Sequence, residues 1–139
     1  MRTKGQDQYV EVGIDTQRYA FRIQDIHEII KMQHITVLPA ASQFMKGVIS
    51  LRGKIVKVIS LRSRFGIQEE SETKATRIVV VNYKEVKIGV IVDRVNQITS
   101  FTSIHPAHMG DKDSLHFSGI GQTSDGFVFI LDLDYLFGG

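Results

Sequence analysis

The sequence predicts a mainly β protein, organised as two small barrels of about five strands each, on three observations. Apolar residues come in short β-branched runs separated by glycine or polar turns. The longest apolar run, Phe127 to Leu131, is far too brief for a membrane span. The second half of the chain also repeats the first. With 139 residues, 42% hydrophobic and 23% charged, the chain can bury a core and stay soluble.

Each element follows from local pattern. Tyr9 to Ile14 alternates apolar with polar or small residues, as a half-buried strand does, and Arg18 to Ile23 returns after a turn at Asp15-Thr16-Gln17. Over Gln24 to Ile30 the period changes: Ile26, Ile29 and Ile30 sit at helical spacing behind a capping Asp25, yet isoleucine also favours strands, and both readings stand. Ile35 to Leu38 is extended up to Pro39. Gly47 to Leu51 and Lys54 to Ser60 flank Arg52-Gly53, a hairpin signal, and Leu61 to Phe65 makes a helical turn. Gln68 to Lys74 is a polar connection. Thr76 to Tyr83 and Val86 to Val92 are strands around Lys84-Glu85. Ser114 to Gly121 reads as an added edge strand, and Asp125-Gly126 turns into Phe127 to Leu133, with Asp134 to Phe137 closing.

Laying the chain over itself sets Tyr19 to Ile30 against Ile88 to Thr99, so that Ala20 meets Gly89, Ile26 meets Val95 and Ile29 meets Ile98. The same offset puts Val10 over Val79 and Val12 over Val81. Further on, Gly53 to Gly66 matches Gly126 to Gly138 with a one-residue gap, bringing Leu61 over Leu133 and Phe65 over Phe137. Ordered matches at nearly one offset mark a duplication. We therefore expect a single domain over residues 1–139, with pseudo-repeat halves at approximately 8–70 and 74–138.

Several chemistries find little support. Without cysteine there are no disulfides, thiolate metal sites or thiol nucleophiles. His105, His108 and His116 could bring three imidazoles to a metal, but Pro106 between the first two points to an irregular loop with solvated histidines. No phosphate-binding glycine loop or nucleophile elbow is present. Asp132 and Asp134 alternate with leucines and read as the wet side of a terminal strand rather than as paired catalytic acids. The expectation is no enzyme, no catalytic residue, no metal and no cofactor. No signal peptide can be read in the opening MRTKGQDQYV, which suits a cytoplasmic protein not inserted in a membrane. Net charge is only +2, but Arg52, Lys54, Lys57, Arg62 and Arg64 cluster, so a small basic β-barrel that binds nucleic acid is the rival function. That rival needs exposed aromatic platforms. Here Phe65 belongs in the core and Tyr83 stands alone, so a solvated basic face is the preferred reading and no nucleic acid is expected as partner.

The segment Gly47-Val-Ile-Ser-Leu-Arg-Gly-Lys-Ile-Val-Lys-Val-Ile-Ser-Leu-Arg-Ser-Arg-Phe-Gly66 resembles the central signature of CheW-like domains, approximately G-V-I-N-L-R-G-x-V-V-P-V-I-D-L-R-x-R-F-G. Tyr19 to Ile30, Thr76 to Val81, Ile88-Gly-Val-Ile-Val-Asp-Arg-Val and Gly126 to Asp134 extend the resemblance over roughly residues 8 to 137. Ser50, Lys57 and Ser60 depart from the usual asparagine, proline and aspartate, which bears on partner specificity rather than on fold.

The resemblance implies two SH3-like five-stranded barrels packed together with a groove between them. It implies a non-enzymatic chemotaxis scaffold that couples methyl-accepting chemoreceptors to the CheA histidine kinase, recruited to membrane-associated receptor arrays. Its partners would be the kinase's regulatory domain and the helical cytoplasmic tip of the receptor. By resemblance the receptor-binding groove falls at Ile26, Glu28, Gly47, Arg52, Val95 and Ile98; Glu28 and Arg52 are expected either to pair beside it and fix its shape or to hold polar groups on the receptor helix. The kinase face is expected at exposed strand ends, without named residues. Ile29 is expected in the core between the barrels, and for Val95 and Ile98 that core and the groove stand equal as readings.

Overall fold

The computed structural model describes residues 7–39, 44–106 and 117–138. They form eleven strands and two short helices: β1 (Tyr9–Ile14), β2 (Gln17–Arg22), β3 (Ile26–Lys31), β4 (Met45–Leu51), β5 (Lys54–Ser60), α1 (Leu61–Arg64), β6 (Arg77–Tyr83), β7 (Val86–Val92), β8 (Arg94–Thr99), β9 (Ser103–Pro106), β10 (Phe117–Thr123), β11 (Gly126–Leu131) and α2 (Leu133–Phe137). The chain divides into two compact units. One is split in sequence, residues 1–23 with 96–139, and the other is contiguous, residues 24–95.

The split unit holds a six-stranded sheet in the order β8-β1-β2-β11-β10-β9, and the contiguous unit a five-stranded sheet in the order β3-β6-β7-β5-β4. Each sheet takes strands from both halves of the repeat. The parallel pair of the split unit sets Tyr19 beside Phe129 and Ala20 beside Ile130. That of the contiguous unit sets Ile88 beside Lys57 and Gly89 beside Val58. Under the repeat these are the same positions, so the exchange is reciprocal and keeps one register. Even the sixth strand has a counterpart: His105 pairs Ile120 in the split unit, and an isolated bridge joins Thr36 to Val48 in the contiguous one.

Turn chemistry sets these registers. At Arg52-Gly53 both residues have positive φ, 51° and 81°, the mirror-image turn that suits the right-handed twist of a two-residue hairpin. Lys84-Glu85 makes a similar turn with φ of 49° and 67° and no glycine. Ser60 caps α1, its hydroxyl accepting from the Ser63 N–H at 3.2 Å, and Asp132 caps α2, accepting from the Asp134 N–H at 2.9 Å. These two caps occupy equivalent places in the repeat. Ser60, where the resemblance expects aspartate, thus supplies the same kind of cap as Asp132.

The split core gathers Tyr9, Ala20, Phe101, Val128 and Ile130. The contiguous core gathers Ile49, Val56, Val58, Ile78 and Val80, with Met32, Ile35 and Leu51 among the half-buried residues against it.

Several sequence expectations are corrected. The open stretch Gln24 to Ile30 resolves into a 3₁₀ turn over Ile23–Asp25 followed by β3, whose burial alternates as a strand's does. The edge strand expected at Ser114 to Gly121 is β10, which lies between β9 and β11 and so is no edge; 114–116 fall outside the described residues. Asp132 and Asp134 belong to the start of α2, because Asp132's oxygen captures a helix-end N–H instead of pointing to water from a strand. Ile29 is 38% exposed, not core, since the alternation of β3 turns it outward. Phe65, expected in the core, is half-buried at the end of α1, where it serves as C-cap.

Candidate functional site

The contiguous unit brings Glu28 and Arg52 together. Glu28 sits on β3 and Arg52 in the β4–β5 turn, and these elements lie at opposite edges of the sheet. In a flat five-stranded sheet the outer strands would stand about 19 Å apart. Here the Arg52 guanidinium donates to both carboxylate oxygens of Glu28, Nη2 to Oε1 at 2.7 Å and Nη1 to Oε2. A fork-to-fork ion pair therefore reaches from the β4–β5 turn to the strand at the other edge of the sheet order. Chiefly through that hydrogen bond, Arg52 holds the Glu28 carboxyl below the usual carboxylate range.

A β-bulge shapes the other side of the pair. Ile26 faces Val81 and Glu28 faces Val80, so His27 is an extra residue in β3 without an opposite number. Consecutive residues of a regular strand point to opposite faces, but here His27 Nε2 comes within 3.3 Å of Glu28 Oε2. His27 was not foreseen from sequence, where a run of isoleucines at helical spacing obscured the bulge.

Gly47 has a structural reason for being glycine. Its φ is 149°, and an added Cβ would lie 2.1 Å from the Thr36 carbonyl oxygen, so only glycine admits the approach of Thr36 to β4. Ile26 and Val95 are half-buried in the contiguous unit, whereas Ile98 belongs to the split unit and is 58% exposed.

The basic cluster is more engaged than a solvated face would be. Arg62 is buried. It donates to Asp93 from Nε at 2.9 Å and from Nη2 at 2.7 Å, and to the Gln68 carbonyl from Nη1 at 2.7 Å. Arg64 lies over the Phe44 ring at 4.4 Å, and Lys54 and Lys57 are exposed. Asp93 was also unforeseen, although the Ile-Val-Asp-Arg-Val block carries it. The Arg62–Asp93 pair lines a cleft of about 260 Å³ with Ser60, Glu69 and Thr76. Glu69 accepts from the Ser63 hydroxyl and meets Lys46 at 3.7 Å.

In the split unit a buried carboxylate is held differently. Glu11 on β1 accepts from Asn96 Nδ2 at 2.7 Å and Gln97 Nε2 at 3.2 Å, with Arg18 at 3.8 Å. Among the described residues no group of three or more histidines and carboxylates is placed to hold a metal ion. His105 bonds Gln122 at 3.1 Å, while His108 and His116 lie outside the described residues. No helix of the described residues is long and apolar enough to cross a membrane.

These features define a class: a mainly β protein of two small sheets that carries ion pairs, tight turns and exposed apolar residues. The model of the CheW-like domain matches residues 8–138, and the chain belongs to that family. It is 33% identical over 123 residues to the chemotaxis protein CheW of Thermotoga maritima, covering 87% of this chain and 81% of the relative. To the CheW of Helicobacter pylori it is 33% identical over 131 residues, covering 91% and 79%. The crystal structure of the scaffolding protein TtCheW from Thermoanaerobacter tengcongensis superposes with a TM-score of 0.86 at 35% identity, covering 94% of this chain and 87% of that one. The chain is thus a CheW-like scaffold of chemotaxis signalling.

Proposed function

We propose that this chain is a non-enzymatic, cytoplasmic adaptor that couples the helical cytoplasmic tip of chemoreceptors to the regulatory domain of the CheA histidine kinase. The observation that carries the reading is the Glu28–Arg52 pair. An exposed bidentate pair that links a turn to a distant strand presents a fixed array of charge, and such arrays select partners and their register more than they add affinity. A helix flank of the receptor docks against this array, with Ile26 as an apolar neighbour and Gly47 holding the backbone beneath. Val95 and Ile98, on β8, are further candidates for receptor contact. For the kinase, the exposed start of β5 offers Ile55, 79% exposed, as an anchor. Two docking surfaces on one molecule would hold receptor and kinase in register, and recruit the chain to membrane-associated arrays, with no bond made or broken.

Co-sedimentation with a receptor cytoplasmic fragment and with the kinase regulatory domain tests this. Glu28→Arg should weaken receptor binding about tenfold or more while leaving the thermal midpoint nearly unchanged. Intact binding with a large fall in the midpoint would assign Glu28 to the fold instead. Salt-sensitive retention on single-stranded DNA, without binding to either protein, would favour nucleic-acid binding.

A further inference from the structure

The same two positions of the repeated element sit at a carboxylate in both units. In the split unit they are Asn96 and Gln97, whose amides hold Glu11. In the contiguous unit the matching positions are His27 and Glu28, and the carboxylate is that of Glu28 itself, shared with Arg52. The difference is chemical. Amides keep their charge state at every physiological pH, whereas histidine is the side chain whose charge changes between about pH 5 and 8. Arg52 Nη1 and His27 Nε2 also meet the same oxygen, Glu28 Oε2, so a charge on His27 acts on the ion pair at that atom.

We propose that His27 is a positioning residue for the Glu28–Arg52 pair, and that its protonation draws Glu28 Oε2 from Arg52, turning the guanidinium toward the docking partner. The bulge makes this possible, because a regular strand would aim His27 away from Glu28. The surrounding charges are few. Asp25 precedes it in the 3₁₀ turn, Lys31 ends its strand, and Arg52 reaches the neighbouring Glu28 from the β4–β5 turn. On β6, Arg77 sits at the far end with its guanidinium on the Lys74 and Thr76 carbonyls. With His27 neutral, the Glu28, Arg52 and His27 cluster carries no net charge; protonated, it carries one positive charge. Affinity for a receptor helix at this cluster then depends on pH, a consequence that rests on the docking reading above.

The test is a titration of the full chain by NMR from pH 8 to 5. The Glu28 Cδ and Arg52 Nε resonances should move in one step with His27 Cε1. His27→Gln should abolish that step, and His27→Lys should hold the low-pH positions already at pH 8. A His27 titration that leaves Glu28 and Arg52 fixed, or a step that survives in His27→Gln, would overturn the proposal. In receptor-fragment co-sedimentation, affinity should change about threefold or more between pH 8 and 5.5 in the native chain. The change should vanish in His27→Gln and appear at pH 8 in His27→Lys. Affinity independent of pH in the native chain would overturn the specificity role. A clean titration step with no fragment binding at either pH would sink the docking reading alone and leave the His27 coupling standing.

Discussion

The split and contiguous units pair their strands alike yet fill the same space differently. In the split unit Phe101 lies over Gly121, so closely that a Cβ on the glycine would meet the ring at 2.5 Å. In the contiguous unit the matching positions are Met32 and Ile49, both in or against the core. One pairs an aromatic ring with no side chain, the other a flexible thioether with a branched one. Below them, Glu11 stands in the split sheet where Val80 stands in the contiguous one. Duplication preserved the backbone pairing, while the side chains diverged in compensating sets. A strand order is held by many hydrogen bonds at once, but a cavity need only be filled.

The largest effect we expect comes from exchanging one member of such a set. Gly121→Ile drives a branched side chain into the Phe101 ring and should cost more than about 4 kcal/mol in urea unfolding, enough to endanger folding. Adding Phe101→Met recreates the other unit's solution and should recover about half of the loss, a coupling seen in a double-mutant cycle. Simple additivity would show that the two cores are not interchangeable.

Gly47→Ala should cost about 3 kcal/mol, because its Cβ meets backbone oxygen and its φ is positive. The equivalent Gly119 has its nearest contact, the His105 carbonyl oxygen, at 3.1 Å, and Gly119→Ala should cost about 1 kcal/mol. Equal losses would mean that the two bulged strands are under the same constraint after all.

Removal of either helix cap, Ser60→Ala or Asp132→Ala, should cost about 1 kcal/mol and nearly the same in both units, as read from denaturant midpoints.

The smallest effects concern pH. Glu28 has a folded value below its ordinary 4.5, chiefly through the Arg52 hydrogen bond, so its support is present above that value and is lost as acid carries the pH through the folded one. Asp125, held down by Thr123 and then Arg18, repeats this in the split unit. The alkaline arm separates the units. Burial, followed by the charge of Asp7 or Asp15, pushes the Tyr9 and Tyr19 phenols above 10, so their support is present below 10 and lost as pH rises through the folded values. Between pH 9 and 11, hydrogen exchange should therefore quicken in β1 and β2 before it quickens in β6 and β7.

Much of this molecule is legible in sequence, for identifiable reasons. Val86 to Val92 and Lys54 to Ser60 announce themselves by β-branched runs between turns, and the pairing of Glu28 with Arg52 is one of the two readings that the family resemblance offers. The exchange of strands between the halves does not show, because self-similarity reports which segments are alike and not which are adjacent. His27 was hidden by a bulge, which depends on register against β6 rather than on local pattern. Asp132 was misread because an alternating acid on a strand and a helix-capping acid have the same local sequence. Arg62 looked like part of a basic surface until Asp93, distant in sequence, was seen to hold it.

Strand exchange also sets an order of events during synthesis. Every strand of the sheet β3-β6-β7-β5-β4 has been made once Val92 is joined, so that sheet can close while later residues are still being added. The hairpin of β1 and β2 is made first of all, yet it must wait for β11, more than a hundred residues on, with its apolar face uncovered. At about 5–20 residues per second that wait lasts several seconds, and a chaperone acting on the nascent chain has most to do at its earliest strands.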